Sequence, residues 1–312
     1  MAEHPHLDRI IADARKLRPV RVAVTYPCST SSIEAAIAAR RIGLIEPVLI
    51  GPRAGIEAAA GGKVLDLASV EMIDTSDDSA EAAAISVTLC QEGQVQLIMK
   101  GSLHSDELLA AVVRNGGLRT SRRISHVFVF DLPDYPKPLM IADCVVNISP
   151  GLMDKRDITQ NAIDIAHSLG ISRPYVGVLS AIETINPAIP GTVEAAALSK
   201  MAQRGQITGA VVDGPLAFDI AMSIEAARIK GIELPVADGP DILIVPNLEA
   251  GNILYKQLVY LAKAECAGVV LGTTVPIILT SRADSEKSRV ASCALAMLYA
   301  HNKATRPLSD SR

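Results

Sequence analysis

The sequence predicts an α/β protein built as two α/β lobes with mainly parallel sheets, and three observations carry that prediction. Short apolar runs alternate with longer Ala-rich stretches of helical period, the pattern of buried parallel strands joined by helices. Polar residues gather immediately after several of these runs, where open α/β sheets present their ligands. The length, 312 residues, also exceeds the usual size of a single hydrophobic core.

Taken in order, the N-terminal MAEHPHLDRIIADARKLRP has the period of a charged amphipathic helix. Residues 20–25 form the first expected strand, which runs into a Cys-Ser-Thr-Ser-Ser loop whose hydroxyls can cap a helix over 33–42. Strands are expected at 47–50, 70–73, 97–99 and 127–130, with helices near 80–91 and 105–114. Another strand at 139–142 precedes the polar stretch 147–157, which opens a helix through about Leu169. A second series follows, with strands near 175–179, 210–212, 242–245 and 268–270 and helices near 192–203, 218–228 and 251–263. The last strand, 275–279, and a helix over 284–301 fit either lobe by periodicity alone, and the tail after Asn302 reads as frayed.

Composition excludes several classes. The chain is 49% hydrophobic, dominated by aliphatic residues, with no Trp and three Phe. A formal charge of −4 with no long basic run argues against a nucleic-acid partner, so any phosphate site must be local. The five cysteines, Cys28, Cys90, Cys144, Cys266 and Cys293, are scattered without CxxC spacing and read as reduced thiols. Neither a signal peptide nor an apolar stretch of about 18 residues is present, so a cytoplasmic protein without a membrane partner is expected.

Chemistry concentrates at the strand ends. In PIILTSRADSEKSR, residues 276–289, an apolar run breaks into Thr280, Ser281, Arg282 and Asp284, a set suited to an anion and a proton transfer. Lys100, Gly101, Ser102 and His104 follow the 97–99 run, as either an anion contact or a solvated loop with a helix cap. RTSRRISH, 119–126, brings Arg119, Thr120, Arg122, Arg123, Ser125 and His126 to the start of a strand and could grip a phosphorylated ligand such as a nucleotide or coenzyme A. PNLEAGN, 246–252, supplies Gly251 for close backbone approach and Asn252 for an amide contact, or is simply a turn and cap. Asp143, Asn147, Asp154 and Asp213 also lie near strand ends, but in separate segments without ligand spacing, and no metal is expected.

Several of these segments together resemble the phosphate acetyltransferase and phosphate butyryltransferase family. The resemblance rests on KGSLHSDEL at 100–108, SHVFVFDLP at 125–133, VVNISP at 145–150, DGPLAFD at 213–219, PNLEAGNILYKQLVYL at 246–261 and VPIILTSRADS at 275–285, and runs from about residue 15 to 300. The chain is especially similar to the transferase portion of proteins in which an enoyl-CoA hydratase-like domain comes first. The family fold implies two lobes around a central cleft, similar to the isocitrate and isopropylmalate dehydrogenases, with residues 1–143 plus 271–312 in one lobe and 144–270 in the other.

The resemblance further implies reversible transfer of an acyl group between coenzyme A and inorganic phosphate, by direct thiolate attack in a ternary complex of a homodimeric enzyme, with no cofactor beyond these substrates. Its catalytic residues would be Ser281, Arg282 and Asp284, and its substrate-binding residues Arg123, Thr120, Ser125, His126, Lys100, Ser102 and Asn252. Three positions depart from the family pattern. Ser288 stands where an aspartate is usual, leaving Asp284 and Glu286 as local bases; Asn247 replaces a common aspartate and Ser121 a common glycine. Two other readings compete: a metal- and NAD(P)-dependent dehydrogenase of a phosphorylated hydroxy acid, and a non-catalytic CoA- or phosphate-binding relative.

Overall fold

The structure is a computed structural model, and it describes residues 4–61, 67–114, 117–236, 238–280 and 284–305. The chain begins with α1 (Pro5–Ala14), β1 (Val20–Thr25), α2 (Thr30–Arg41), β2 (Ile45–Gly51), α3 (Arg53–Ala60), β3 (Glu71–Asp74), α4 (Ser79–Gln91), β4 (Leu97–Lys100) and α5 (Ser105–Val113). It continues through β5 (Ser125–Asp131), β6 (Leu139–Ala142), α6 (Leu152–Ser168), β7 (Tyr175–Leu179), α7 (Pro190–Gln203), β8 (Val211–Leu216), α8 (Phe218–Met222), α9 (Ile224–Ile229), β9 (Ile242–Ile244), α10 (Leu248–Tyr260) and β10 (Glu265–Leu271). It closes with β11 (Ile277–Ile278) and α11 (Glu286–Thr305).

Two compact units divide this chain: a middle unit containing Arg123–Cys266, and a terminal unit formed by Leu7–Arg122 with Ala267–Pro307. In the terminal unit the strand order is β3-β2-β1-β4-β11-β10, parallel except for the β10–β11 pair. The middle unit orders its strands β5-β6-β9-β7-β8, parallel except for β5–β6. The sequence expectation drew the divisions at 143/144 and 270/271. The first division falls earlier, at 122/123, because β6 pairs in parallel with β9 and brings its antiparallel partner β5 with it, and the second falls at 266/267, within β10.

Burial explains the near-continuous apolar strands. Val22, Ala23 and Val24 of β1 and Leu97 and Ile98 of β4 are fully buried, as helices covering both faces require. In the middle unit, Phe130, Leu139, Ile141 and Leu243 pack with Ile220 of α8 and Leu258 of α10. Local chemistry also accounts for departures from the expected elements. The helical pattern over 218–228 is two short helices, because Ser223 stops α8 and caps α9 by accepting from the Ala226 amide at 3.2 Å. α10 starts at Leu248 because Asn247 caps it, its side chain accepting from the Ala250 amide at 2.9 Å. α3, absent from the sequence expectation, carries only Ile56 and Ala60 as buried residues, too weak a periodic signal over eight residues.

Candidate active site

The terminal unit joins the ends of two parallel strands so closely that one residue between them must lack a side chain. A Cβ on Gly101 would stand 2.4 Å from the Thr25 carbonyl oxygen and 2.5 Å from that of Tyr26. The gap is closed by hydrogen bonds: the Gly101 amide donates to Thr25 O, and both the amide and the hydroxyl of Ser102 donate to Tyr26 O, each at 2.9 Å. Tyr26 takes a left-handed φ of 53° to turn the chain out of β1, and its phenol is anchored on Asp77 at 2.5 Å. That bond, aided by burial, raises the phenol pKa to about 12. Sequence places Cys28 to Ser32 directly after this turn, so the stitched strand ends set Lys100–Ser102 beside the start of α2.

A small cleft, open to solvent, lies at these strand ends. Ser29, Ser31 and Ser32 line it from the start of α2, and Lys100, Gly101 and Ser102 from the end of β4. Thr280, following β11, and Arg289, on the first turns of α11, complete its polar wall. Lys100 and Arg289 are each 9% exposed. The ammonium donates to Leu103 O at 3.0 Å, and an Nη of Arg289 donates to Ser31 O at 3.3 Å. No carboxylate lines the cleft among the described residues. Cys28 is half-buried, and burial, with the nearby Asp77 charge, raises its thiol pKa, so it stays protonated.

The middle unit holds Arg123 in a separate polar network. Its Nε donates to Asn147 Oδ1 at 2.6 Å and lies 3.6 Å from Asp154, while its amide donates to Asp157 at 2.9 Å. Asn147, itself buried, donates through Nδ2 to Ile124 O at 2.9 Å and Asp143 at 2.6 Å. Asp143 also accepts from the amides of Val145, Val146 and Asn147, so its carboxylate is spent on ordering the loop that follows β6. Asn252 donates to Cys144 O of the same loop at 3.3 Å, and a Cβ on Gly251 would meet Asp143 O at 2.8 Å.

Of the residues singled out from sequence, Lys100 and Ser102 share the cleft, whereas Ser281 and Arg282 lie outside the described residues. Asp284 is half-buried just ahead of α11, and Glu286 is exposed. Thr120 is exposed and donates to Gly272 O at 2.8 Å within the terminal unit. Arg123, with 52% of its side chain exposed, Ser125, His126 and Asn252 belong to the middle unit. Ser125 and His126 are fully buried: Asn161 donates to the Ser125 hydroxyl at 2.8 Å, and the His126 ring packs 4.2 Å from that of Phe128. Arg289, Ser31 and Ser32 were not among the residues singled out for binding. The three serines after β1 are cap candidates in the sequence, while Arg289 falls within the helix expected over 284–301. Ser288 is buried and its amide donates to Ser285 Oγ at 3.0 Å. Groups of three or more His, Cys, Asp or Glu placed to hold a metal ion are absent among the described residues, and none of their helices is long and apolar enough to cross a membrane.

Comparison with known proteins identifies the family. The family model described as "phosphate acetyl/butaryl transferase" matches residues 78–297. The phosphate acetyltransferase of Rhizobium meliloti is 53% identical over 300 residues, covering 96% of this chain and 95% of its own. Phosphate butyryltransferase of Clostridium acetobutylicum is 39% identical over 297 residues, covering 95% and 98%. Among solved structures, a branched-chain phosphotransacylase from Enterococcus faecalis V583 superposes with a TM-score of 0.78 at 29% identity, covering 90% of this chain and 99% of its own. These relatives do not favour the dehydrogenase alternative. The chain belongs to the phosphate acetyl/butyryl transferase family, enzymes that move an acyl group between coenzyme A and phosphate.

Proposed function

We propose that this chain interconverts acetyl-CoA and phosphate with acetyl phosphate and coenzyme A, acetyl being its preferred acyl group. Acetyl is favoured because identity to the acetyltransferase from R. meliloti, 53%, exceeds the 39% to the butyryltransferase from C. acetobutylicum. In a ternary complex, the CoA thiolate attacks the acyl phosphate carbonyl, the new S–C bond replaces the C–O bond, and phosphate leaves. Arg282 neutralises the leaving phosphate, with Arg123 as a second guanidinium for an anionic substrate. Ser281 donates to the acyl oxygen. Asp284 takes the thiol proton, since an unperturbed thiol, with a pKa of about 8.5, is mostly protonated at neutral pH. Lys100, Ser102, Thr120 and Asn252 contribute substrate contacts, while the buried Ser125 and His126 support the strand that follows Arg123. No metal or nicotinamide is invoked.

The observation that carries this reading is the cationic strand-end cleft, whose wall includes Thr280, the residue before Ser281 and Arg282 in sequence. Initial rates of thiol release from acetyl-, propionyl- and butyryl-CoA with phosphate, and without metal or nicotinamide, test it. We expect kcat/KM to fall with chain length; silence with all three would refute the transfer reading. A homodimer and a reducing, cytoplasmic location are part of the same proposal. Ile253, Tyr260 and Leu261 recur at helical spacing along α10 and its end with 69%, 61% and 74% exposure, an apolar stripe suited to a second copy, and all five cysteines are free thiols. Light scattering should report twice the 32.9 kDa chain mass.

A further inference from the structure

We propose that Asn147 is a positioning residue for Arg123, holding the guanidinium so that its two Nη atoms, and not its Nε, meet an anionic substrate. The proposal rests on the acyl-transfer reading for its substrate; the geometry belongs to the middle unit alone. Arg123 is fixed at three points. Its amide donates to Asp157 Oδ2 at 2.9 Å, its carbonyl accepts from Asn161 Nδ2 at 3.0 Å, and its Nε donates to Asn147 Oδ1 at 2.6 Å. Asp154 lies 3.6 Å from the same Nε. The two Nη atoms have no hydrogen-bonding partner among the described residues, and 52% of the side chain is exposed. An arginine anchored through Nε keeps the outer edge of its fork, which matches two oxygens of a phosphate or carboxylate, for another acceptor.

The way Asn147 is itself held decides which of its atoms faces Arg123. Asn147 is 2% exposed, and its Nδ2 donates to Asp143 Oδ2 at 2.6 Å and to Ile124 O at 2.9 Å. A carboxylate and a carbonyl offer only acceptors there, so the amide group must turn Nδ2 toward them and Oδ1 toward Arg123. Asp143 is pinned in turn by the amides of Val145, Val146 and Asn147 at 2.8, 3.0 and 3.2 Å. A chain of fixed hydrogen bonds thus runs from the loop after β6 to the guanidinium. Nearby carboxylates leave the cation its charge. Asp143 is committed to these four donors, and Asp157 Oδ1 accepts from Nε and Nη2 of Arg156 at 2.9 and 2.7 Å. Asp154 sits nearest, but its other oxygen accepts from the Gly151 amide at 3.2 Å at the start of α6. Ordering the guanidinium before a substrate arrives removes freedom that a long side chain would otherwise lose on binding, and that is the contribution assigned to Asn147.

A double-mutant cycle tests this. KM for phosphate and for acetyl-CoA, kcat and melting temperature are measured for wild type, Asn147→Ala, Arg123→Gln and the double variant. Arg123→Gln should raise KM for the anion it meets by about 10- to 100-fold, as for a lost charged hydrogen bond. Asn147→Ala should raise the same KM by about 3- to 10-fold, the scale of one side chain left to be ordered by the substrate, with kcat within about two-fold. Whichever KM rises, that for phosphate or that for acetyl-CoA, identifies the anion. In the Arg123→Gln background, Asn147→Ala should leave that KM unchanged while still lowering the melting temperature, because stability depends on the bond to Asp143 and binding on Arg123. A purely structural Asn147 would lower the melting temperature without moving KM, or move KM equally in both backgrounds; either result in folded proteins would overturn the proposal. A folded Arg123→Gln with both KM values at the wild-type level would overturn it too. Should Asn147→Ala fail to fold, Asn147→Ser, which keeps a hydroxyl beside Asp143, carries the same cycle. If the wild type released no thiol from any acyl-CoA, the transfer reading would fall. The melting shifts produced by phosphate and by CoA then replace KM in the cycle, and the positioning role holds only where Asn147→Ala weakens such a shift through Arg123.

Discussion

Replacing Gly101 with alanine should damage both stability and turnover, and the structure fixes the size of the effect. The added Cβ would lie 2.4 Å from Thr25 O, whereas an ordinary C···O contact is about 3.3 Å, so the strand ends must part by about 0.9 Å. Thr25 has little freedom to withdraw: it is fully buried, and its hydroxyl is 2.8 Å from that of buried Ser86. Moving Gly101 instead takes its bond to Thr25 O from 2.9 Å to about 3.8 Å, outside hydrogen-bonding range, and strains the two bonds from Ser102 to Tyr26 O. At about 1 kcal/mol per bond, the loss of two or three costs about 2–3 kcal/mol of stability. The same displacement carries Lys100 and Ser102 away from the α2 serines by nearly 1 Å, and misplacement on that scale lowers catalysis by about 100-fold. Urea denaturation and the thiol-release assay measure the two effects separately. A Gly101→Ala protein with wild-type midpoint and wild-type kcat/KM would refute the claim that these strand ends position the site.

Other perturbations address the rest of the molecule. Arg282→Ala should lose at least about 2 kcal/mol of transition-state stabilisation, read as kcat/KM, and a wild-type value would remove Arg282 from its proposed role. Asn147→Ala frees the Arg123 Nε and strips one donor from Asp143; we expect about 1–3 kcal/mol lower stability and a raised KM for an anionic substrate, with Asn147→Asp a poor substitute because it sets a second carboxylate against Asp143. Burial raises the Asp213 carboxyl pKa, so the folded chain holds that proton to higher pH than the unfolded chain; stability from this group is complete below about pH 4 and falls as pH climbs through the raised value. Asp213→Asn should therefore melt higher than wild type at pH 7 and converge with it near pH 4. Asp284→Asn should lower the rate and alter the acidic limb of the pH-rate profile, where a carboxylate base becomes protonated, and an unchanged profile would turn attention to Glu286 or solvent.

Much of this architecture was legible in the chain because buried parallel strands leave a strong local mark. Runs such as Val20–Thr25 and Tyr175–Leu179 are apolar on both faces and end in polar loops, and each forms a strand. Local polar chemistry was readable too: Asn247 and Ser223 act on neighbours within three residues. The division of the chain was harder to read, because the placement of β5 depends on antiparallel pairing with β6 and then on β9, about a hundred residues further along. Ser125 and His126 illustrate a related limit. A basic, hydroxyl-rich run looks uniformly ready for a ligand, yet β5 buries Ser125 and His126 while Arg123, two residues before its start, stays exposed.

Arg289 marks where sequence reasoning stops for a physical reason. Within its helix it sits among Ser288, Val290 and Ala291, residues with nothing in their spacing to distinguish a site from a partly buried flank. Its placement depends on α11 packing beside α2, which brings the guanidinium to Ser31 in the first turn of α2, more than 250 residues earlier. The departure from the family pattern at Ser288 takes on meaning beside it. A carboxylate there would bring negative charge to the same first turn of α11 as Arg289 and oppose the field of the two cleft cations. With serine at that position, Asp284 and Glu286 are the local carboxylates left for the proposed proton transfer.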